Sequence, residues 1–292
     1  MLKKKVYNKR ARVGPFLIAV IVLICAVHGI RSCYVVDYYP MNGTFQNYNP
    51  VRRWLSGQIP FRDFKIYLGL GHLYLGGFFT WIFGNDFAAN LVAFSFLSLL
   101  SLAIISFAIG EAVFESSIKA GAVTAILLVI LLQISDGAVN IAILTEIKSS
   151  LMAALSPGNS ARYIRGMITG ISVILFLLLG RWMRGDLRKE RIKRAIIVSV
   201  VSGICFLWSN DYGISCWLCL IIMVFIVSMS RNGVKHACFA SLFYVAGSFL
   251  AVYVLAQIYT AGHFKDWLNT TFGAGDYQKW YYLSAKSYFM GC

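Results

Sequence analysis

Residues 194–230 read RAIIVSVVSGICFLWSNDYGISCWLCLIIMVFIVSMS. Two apolar runs, 194–209 and 212–230, meet at the polar stretch Trp208-Ser209-Asn210-Asp211-Tyr212-Gly213. Each run approaches the roughly 20 residues that carry a helix across a bilayer, so the pair reads as two antiparallel spans joined by a very tight turn. Asp211 then sits at the lip of the membrane. A charge beside hydrocarbon is expensive and by default marks a site.

The bulk composition agrees. The chain is 59% hydrophobic and 13% charged, with a mean hydropathy of +0.69, whereas a soluble domain carries about a quarter charged residues. These numbers describe an all-α polytopic membrane protein, one transmembrane domain over 1–292. The net charge of +15 is a membrane-edge signal, since basic residues gather where they orient helices, and nucleic acid is not an expected partner. Cys25, Cys205, Cys216, Cys219 and Cys238 lie in apolar runs and read as small packing residues. Cys33 and Cys292 fall in loops, where a pairing stays open.

Basic clusters set the orientation. MLKKKVYNKRAR, residues 1–12, carries six Lys or Arg and no acid ahead of an apolar run at 13–31, which places the N-terminus in the cytoplasm. No small-residue cleavage site follows before Tyr34, so the run is a poor secretory signal. A second cytoplasmic anchor holds Arg181, Arg184, Arg188, Lys189, Arg191, Lys193 and Arg194 against Asp186 and Glu190, and a weaker third contains Arg231 and Lys235. These anchors run 162–180 inward, 194–209 outward, 212–230 inward and 237–258 outward, with Asp211 outside.

Upstream, apolar stretches at 66–83, 87–110 and 119–135 give one crossing too many. The weakest is 66–83, IYLGLGHLYLGGFFTWIF, which contains Gly69, Gly71, Gly76, Gly77 and His72 and many aromatics. Aromatic side chains favour the interface, so this run is expected to lie at the outer surface as a juxtamembrane helix. The expected architecture is about seven transmembrane helices plus that outer element. A first external loop covers 32–86, and an external C-terminal segment, 259–292, carries Trp267, Trp280, Tyr281 and Tyr282.

The long first loop is where function is expected. It places Arg52, Arg53, Arg62 and Lys65 outside, against the usual bias. Cations there suit the phosphate or pyrophosphate of a lipid, although headgroup contacts or pairing with Asp37 and Asp63 would also satisfy them. Asp37, Asp63 and Asp211 all fall at the external edge, where a carboxylate serves as a general base on a hydroxyl or holds a metal against a phosphate. Asp37 follows aromatic Tyr34 and precedes Tyr38-Tyr39, a setting that raises a carboxyl pKa. Asp63 has Arg62 and Lys65 as local partners, and Asp211 also reads as an N-cap for the next span. His72 is either a phosphate or sugar contact or a packed interfacial side chain. His28, His72, His236 and His263 show no metal-ligand spacing. No nucleotide-type glycine loop appears; no cofactor is indicated, and a divalent metal stays open.

The run Arg53-Trp54-Leu55-Ser56-Gly57-Gln58-Ile59-Pro60-Phe61-Arg62-Asp63-Phe64, followed by Tyr67 and Gly69, together with Ser209-Asn210-Asp211-Tyr212-Gly213, resembles the multi-spanning glycosyltransferases of the C-type membrane fold (GT-C). Those enzymes use polyprenyl-phosphate-linked sugars. The resemblance implies an outer helix outside the membrane proper. It also implies a lateral site for a polyprenyl-phosphate-linked sugar donor, with its tail along 87–110 and 194–230. Arg52, Arg53, Arg62 or His72 would bind the leaving phosphate, and Asp37, Asp63 or Asp211 would activate the acceptor. The acceptor implied is a glycan or lipid-linked glycan at the external face of a bacterial inner membrane. One departure stands out: Asn42-Gly43 occupies the place where such enzymes carry an acid before glycine, so the acid has shifted to Asp37 or the member is inactive. The family also has more spans and a longer C-terminal portion, so this chain reads as shortened. Rival readings are a lipid-linked glycan transporter or flippase, an O-antigen-type polymerase or ligase, and an inactive GT-C-like partner. A transporter of repeated halves would show an internal repeat, and none is evident.

Overall fold

The computed structural model describes residues 2–35, 43–66, 68–135, 161–182 and 188–273. Every regular element among them is helical: α1 (Leu2–Val35), α2 (Gly43–Leu55), α3 (Leu70–Phe83), α4 (Phe87–Phe114), α5 (Ser117–Ser135), α6 (Ala161–Trp182), α7 (Arg188–Trp208), α8 (Tyr212–Asn232), α9 (Val234–Tyr259) and α10 (Phe264–Phe272). Asp37, Asn42, Tyr67 and 274–292 lie outside the described residues.

Four helices are long and apolar enough to cross a membrane: Gly14–Arg31 within α1, α4, Tyr212–Ser230 within α8, and α9. Among the described residues, α5, α6 and α7 contribute shorter apolar stretches at Ser117–Leu132, Ile164–Phe176 and Ala195–Trp208. The expectation of seven spans is thus met by four on length and composition among the described residues.

α4 is the central helix: 56% of its span is buried, against 11% for α9. It starts cleanly because the Asp86 carboxylate accepts the Ala89 N–H at 2.6 Å, which satisfies one of the donors a helix start leaves open. Ala93, Leu97 and Leu99 are buried at its centre. Gly170 of α6 lets α4 approach closely, since a Cβ there would fall 3.1 Å from Ile104.

α3 is too short to cross. Its 14 residues extend about 21 Å at about 1.5 Å each, short of the roughly 30 Å hydrocarbon layer. Phe94 meets His72 and the Gly76 position, while Phe96, only two residues on, meets Phe79 and Phe83. The glycines of this run are contact points for rings: a Cβ at Gly71, Gly76 or Gly77 would fall 2.2, 2.5 and 2.5 Å from Trp208, Phe94 and Trp54. The outward face of α3 leaves Phe78, Trp81 and Ile82 half exposed, in keeping with a helix lying against apolar surroundings.

Residues 32–66 read as an external loop, yet α2 forms within them. Asn47 and Val51, one turn apart, are its buried contacts, and Tyr48 packs edge-on against Phe87. Cys216 and Cys219, spaced as a CxxC pair, are both free, one buried and one exposed.

Candidate functional site

The α7–α8 turn is built by a close contact between chain segments. The position of a Gly213 Cβ would fall 1.9 Å from the Cys205 carbonyl oxygen, so glycine alone lets the two helices meet this tightly. Asp211 caps α8 by accepting the Tyr212 N–H at 2.9 Å, as the sequence reading weighed, and it also accepts the Ser209 hydroxyl. Its other oxygen takes a bond that the sequence did not reveal: Arg165 Nη1 donates to Asp211 Oδ2 at 2.6 Å. The Arg165 guanidinium also lies over the Tyr212 ring, 5.7 Å from its centroid.

Trp208 ties this turn to two other elements. Its Nε1 donates to the Ile164 carbonyl at 2.8 Å, and its ring lies on Gly71 at the start of α3. Gly69 approaches the Trp208 carbonyl so closely that a Cβ would lie 2.3 Å away, and its φ of +100° suits only glycine. The two sequence runs that carry the family resemblance are therefore in contact.

Next to this contact is a groove of about 280 Å³, lined by Leu70, Gly71 and Tyr74 of α3, Leu207 and Trp208 of α7, and Tyr259 of α9, among others. The Tyr74 hydroxyl donates to the Tyr259 carbonyl and closes one end. Phe78 and Ile204 line the groove and are exposed, so it opens sideways onto the apolar exterior. It lies toward the low end of the volumes of small-molecule sites.

The first loop is held by its own charges. Asp63 accepts the Ile59 N–H at 2.7 Å and a fork from Arg62, both bonds at 2.9 Å. These contacts hold the Asp63 carboxyl well down, at about 2, chiefly through the Arg62 bond and then the Ile59 amide. Arg53 donates to Gln58 at 2.5 Å and to the Asp63 carbonyl at 2.7 Å, and lies over Phe64. Arg52 is exposed and donates to Asn49 at 3.1 Å. Of the expected phosphate ligands, Arg53 and Arg62 thus order the loop and Arg52 faces outward.

His72 is fully buried between α2, α3 and α4, with Nε2 3.2 Å from Asn47 Oδ1 and no partner among the described residues at Nδ1. Burial, with the positive charge of Arg165 second, pushes its imidazole down to about 3. A neutral, enclosed ring fastens α2 to α3 and does not face a substrate in this conformation; the expected phosphate contact gives way to this packing role. Among the described residues no group of three or more His, Cys, Asp or Glu could hold a metal ion.

The depressed Asp63 carboxyl yields a test of the loop. A carboxyl held below its usual 3.8 stabilises the loop above that value and stops doing so as pH falls through about 2. Asp63→Asn should therefore speed exchange of the Ile59 amide at neutral pH. Wild-type protein, corrected for intrinsic rates, should lose the same protection only in acid. Unchanged Ile59 exchange in Asp63→Asn, read by hydrogen-exchange mass spectrometry, would contradict the assigned bond.

No family model, curated protein or solved structure matches this chain. What the site does is therefore argued from its own geometry and from the resemblance of its two motif runs.

Proposed function

We propose that the chain is a membrane glycosyltransferase of the C-type class, moving a sugar from a polyprenyl-phosphate donor to a glycan or lipid-linked acceptor. In this reading the chain crosses a bacterial inner membrane seven times, with its N-terminus in the cytoplasm and α3 lying in the outer interface. The observation that supports it best is the direct contact between Gly69–Gly71 and Trp208–Ser209, beside a groove that opens sideways on the apolar exterior. A lipid-anchored donor needs such an entrance, because its chain must stay in hydrocarbon while its headgroup reaches polar residues.

The base assignment narrows on physical grounds. Asp63 accepts three hydrogen bonds and sits near pKa 2, which makes it a weak proton acceptor. Asp211 is committed through Oδ1 to Ser209 and the start of α8. Asp37 is the remaining candidate of the three and takes the role of general base, in an inverting single displacement at the sugar carbon. Arg52, exposed on α2, is the first-loop arginine left to meet the leaving phosphate.

Two experiments test this. Cysteines introduced at Asn85 and Asn210 should label from outside intact cells, and one at Ser116 only after the membrane is opened. Labelling of Asn85 and Asn210 from opposite sides would contradict the topology. In lipid extracts, cells lacking the protein should accumulate one polyprenyl-phosphate-linked sugar that wild-type cells consume, and an unchanged lipid-linked sugar pool would contradict the function.

A further inference from the structure

We infer that the Arg165–Asp211 pair is the headgroup end of a lipid site, in which the α3–α7–α9 groove takes one hydrocarbon chain and Arg165 binds that lipid's phosphate in place of Asp211. The inference deepens the proposed function and rests on it only for the identity of the lipid as a sugar donor. The phosphate-binding role falls on a residue that none of the sequence motifs contains.

Three observations carry it. The groove is apolar and open to the exterior of the bundle, with Phe78 and Ile204 exposed at its mouth. An opening of this kind in a helical membrane protein faces hydrocarbon, so the occupant with the right chemistry is a lipid chain. The groove wall is also covalently close to the charge. Trp208 lines the groove and bonds the carbonyl of Ile164, the residue before Arg165, and Arg165 in turn bonds Asp211, three residues past Trp208.

The third observation is the asymmetry of the pair. The Arg165 side chain is 16% exposed and the Asp211 side chain 51%. The guanidinium is held, over Tyr212 and at the helix surface, while the carboxylate has open space to turn into. Breaking a part-buried ion pair costs least when another anion takes the vacated place, so an arriving anion exchanges with Asp211. A phosphate suits that exchange, because its oxygens match the planar fork of an arginine and accept two bonds at once. In the empty site Asp211 Oδ2 pairs with Arg165, and in the filled site Oδ2 gives way to the phosphate while Oδ1 keeps the Ser209 hydroxyl and the Tyr212 N–H.

The same phosphate chemistry belongs to a phosphomonoester lipid and to free phosphate, and the test separates them. The full chain is purified in phosphatidylcholine nanodiscs containing a minor share of phosphatidic acid, and retained lipids are counted by native mass spectrometry. Wild-type protein should retain phosphatidic acid over phosphatidylcholine by roughly fivefold, as expected for one cation meeting an anionic headgroup. Arg165→Gln should abolish the preference, Arg165→Lys should keep part of it, and Asp211→Asn should increase it by removing the competing anion. Leu207→Trp, which fills the groove, should lower retention of phosphatidic acid without altering charge. An unchanged preference in Arg165→Gln would overturn the inference, and displacement of the lipid by millimolar inorganic phosphate would overturn the lipid part of it. Lipid selectivity without sugar transfer would leave this site standing and sink only the transferase reading; transfer without selectivity would do the reverse.

Discussion

Asp37→Asn should lower sugar transfer by about 10²–10⁴-fold, the usual contribution of a positioned general base, while the protein stays folded and still binds donor. The expectation follows from elimination among the three edge carboxylates. Asp63 is occupied by Arg62 and the Ile59 amide, and Asp211 by the Ser209 hydroxyl and the Tyr212 amide. Asp63→Asn and Asp211→Asn should therefore act through loop order and donor affinity, changing KM more than kcat. The pH–rate profile should lose its acidic limb only in Asp37→Asn. Near-normal turnover in Asp37→Asn, or loss of that limb in Asp63→Asn instead, would move the base elsewhere.

Trp208→Ala should have the largest effect on stability, about 3 kcal/mol, the low end for deleting a large ring from a packed position. The ring fills the space above Gly71, lines the groove and bonds Ile164, so α3, α6 and α7 all lose a shared contact. Gly71→Val attacks the same contact from the other side. Its Cβ would start 2.2 Å from the Trp208 ring, and overpacking of this kind costs about 1–3 kcal/mol. The two changes touch the same space, so they should not add: Gly71→Val should cost much less in the Trp208→Ala background than alone. Thermal unfolding of the four proteins in one detergent measures the cycle. Strict additivity would mean that α3 does not rest on Trp208.

Much of this arrangement is legible from local sequence. The apolar runs announce helices, and the two polar residues between 209 and 212 leave room only for a tight turn, which Gly213 then permits. The run 66–83 reads as a weak span through its glycines and aromatics; in the fold its helix is short and begins at Leu70, because Gly69 takes a backbone conformation that ends the loop. The Arg62–Asp63 fork lies between neighbours in sequence, so local pairing was foreseeable.

What escaped the sequence is what depends on distant residues. Arg165 and Asp211 are 46 positions apart, and nothing local distinguishes Arg165 from an ordinary membrane-edge cation. One usable signal existed: in the proposed orientation, an arginine at the end of 162–180 opposite the basic cluster breaks the positive-inside bias, as the first-loop arginines would. α2 hid because its buried face rests on Asn47 and Val51, one of them polar, and because Pro50 lies inside it. His72 looked available as a ligand because burial comes from Asn47 on α2 and Phe94 on α4, neither near it in sequence. The groove is likewise shared by three helices spread from Leu70 to Tyr259.

The central claim is sugar transfer from a polyprenyl-phosphate donor, and the most direct measurement uses the purified full chain in nanodiscs. Donors bearing different radiolabelled sugars are supplied in the bilayer with candidate envelope glycans outside, and label leaving the lipid fraction is followed with time. One donor should lose its sugar to an acceptor in wild-type protein, and the loss should stop in Asp37→Asn. Every donor remaining intact, or equal loss in both proteins, would contradict that claim.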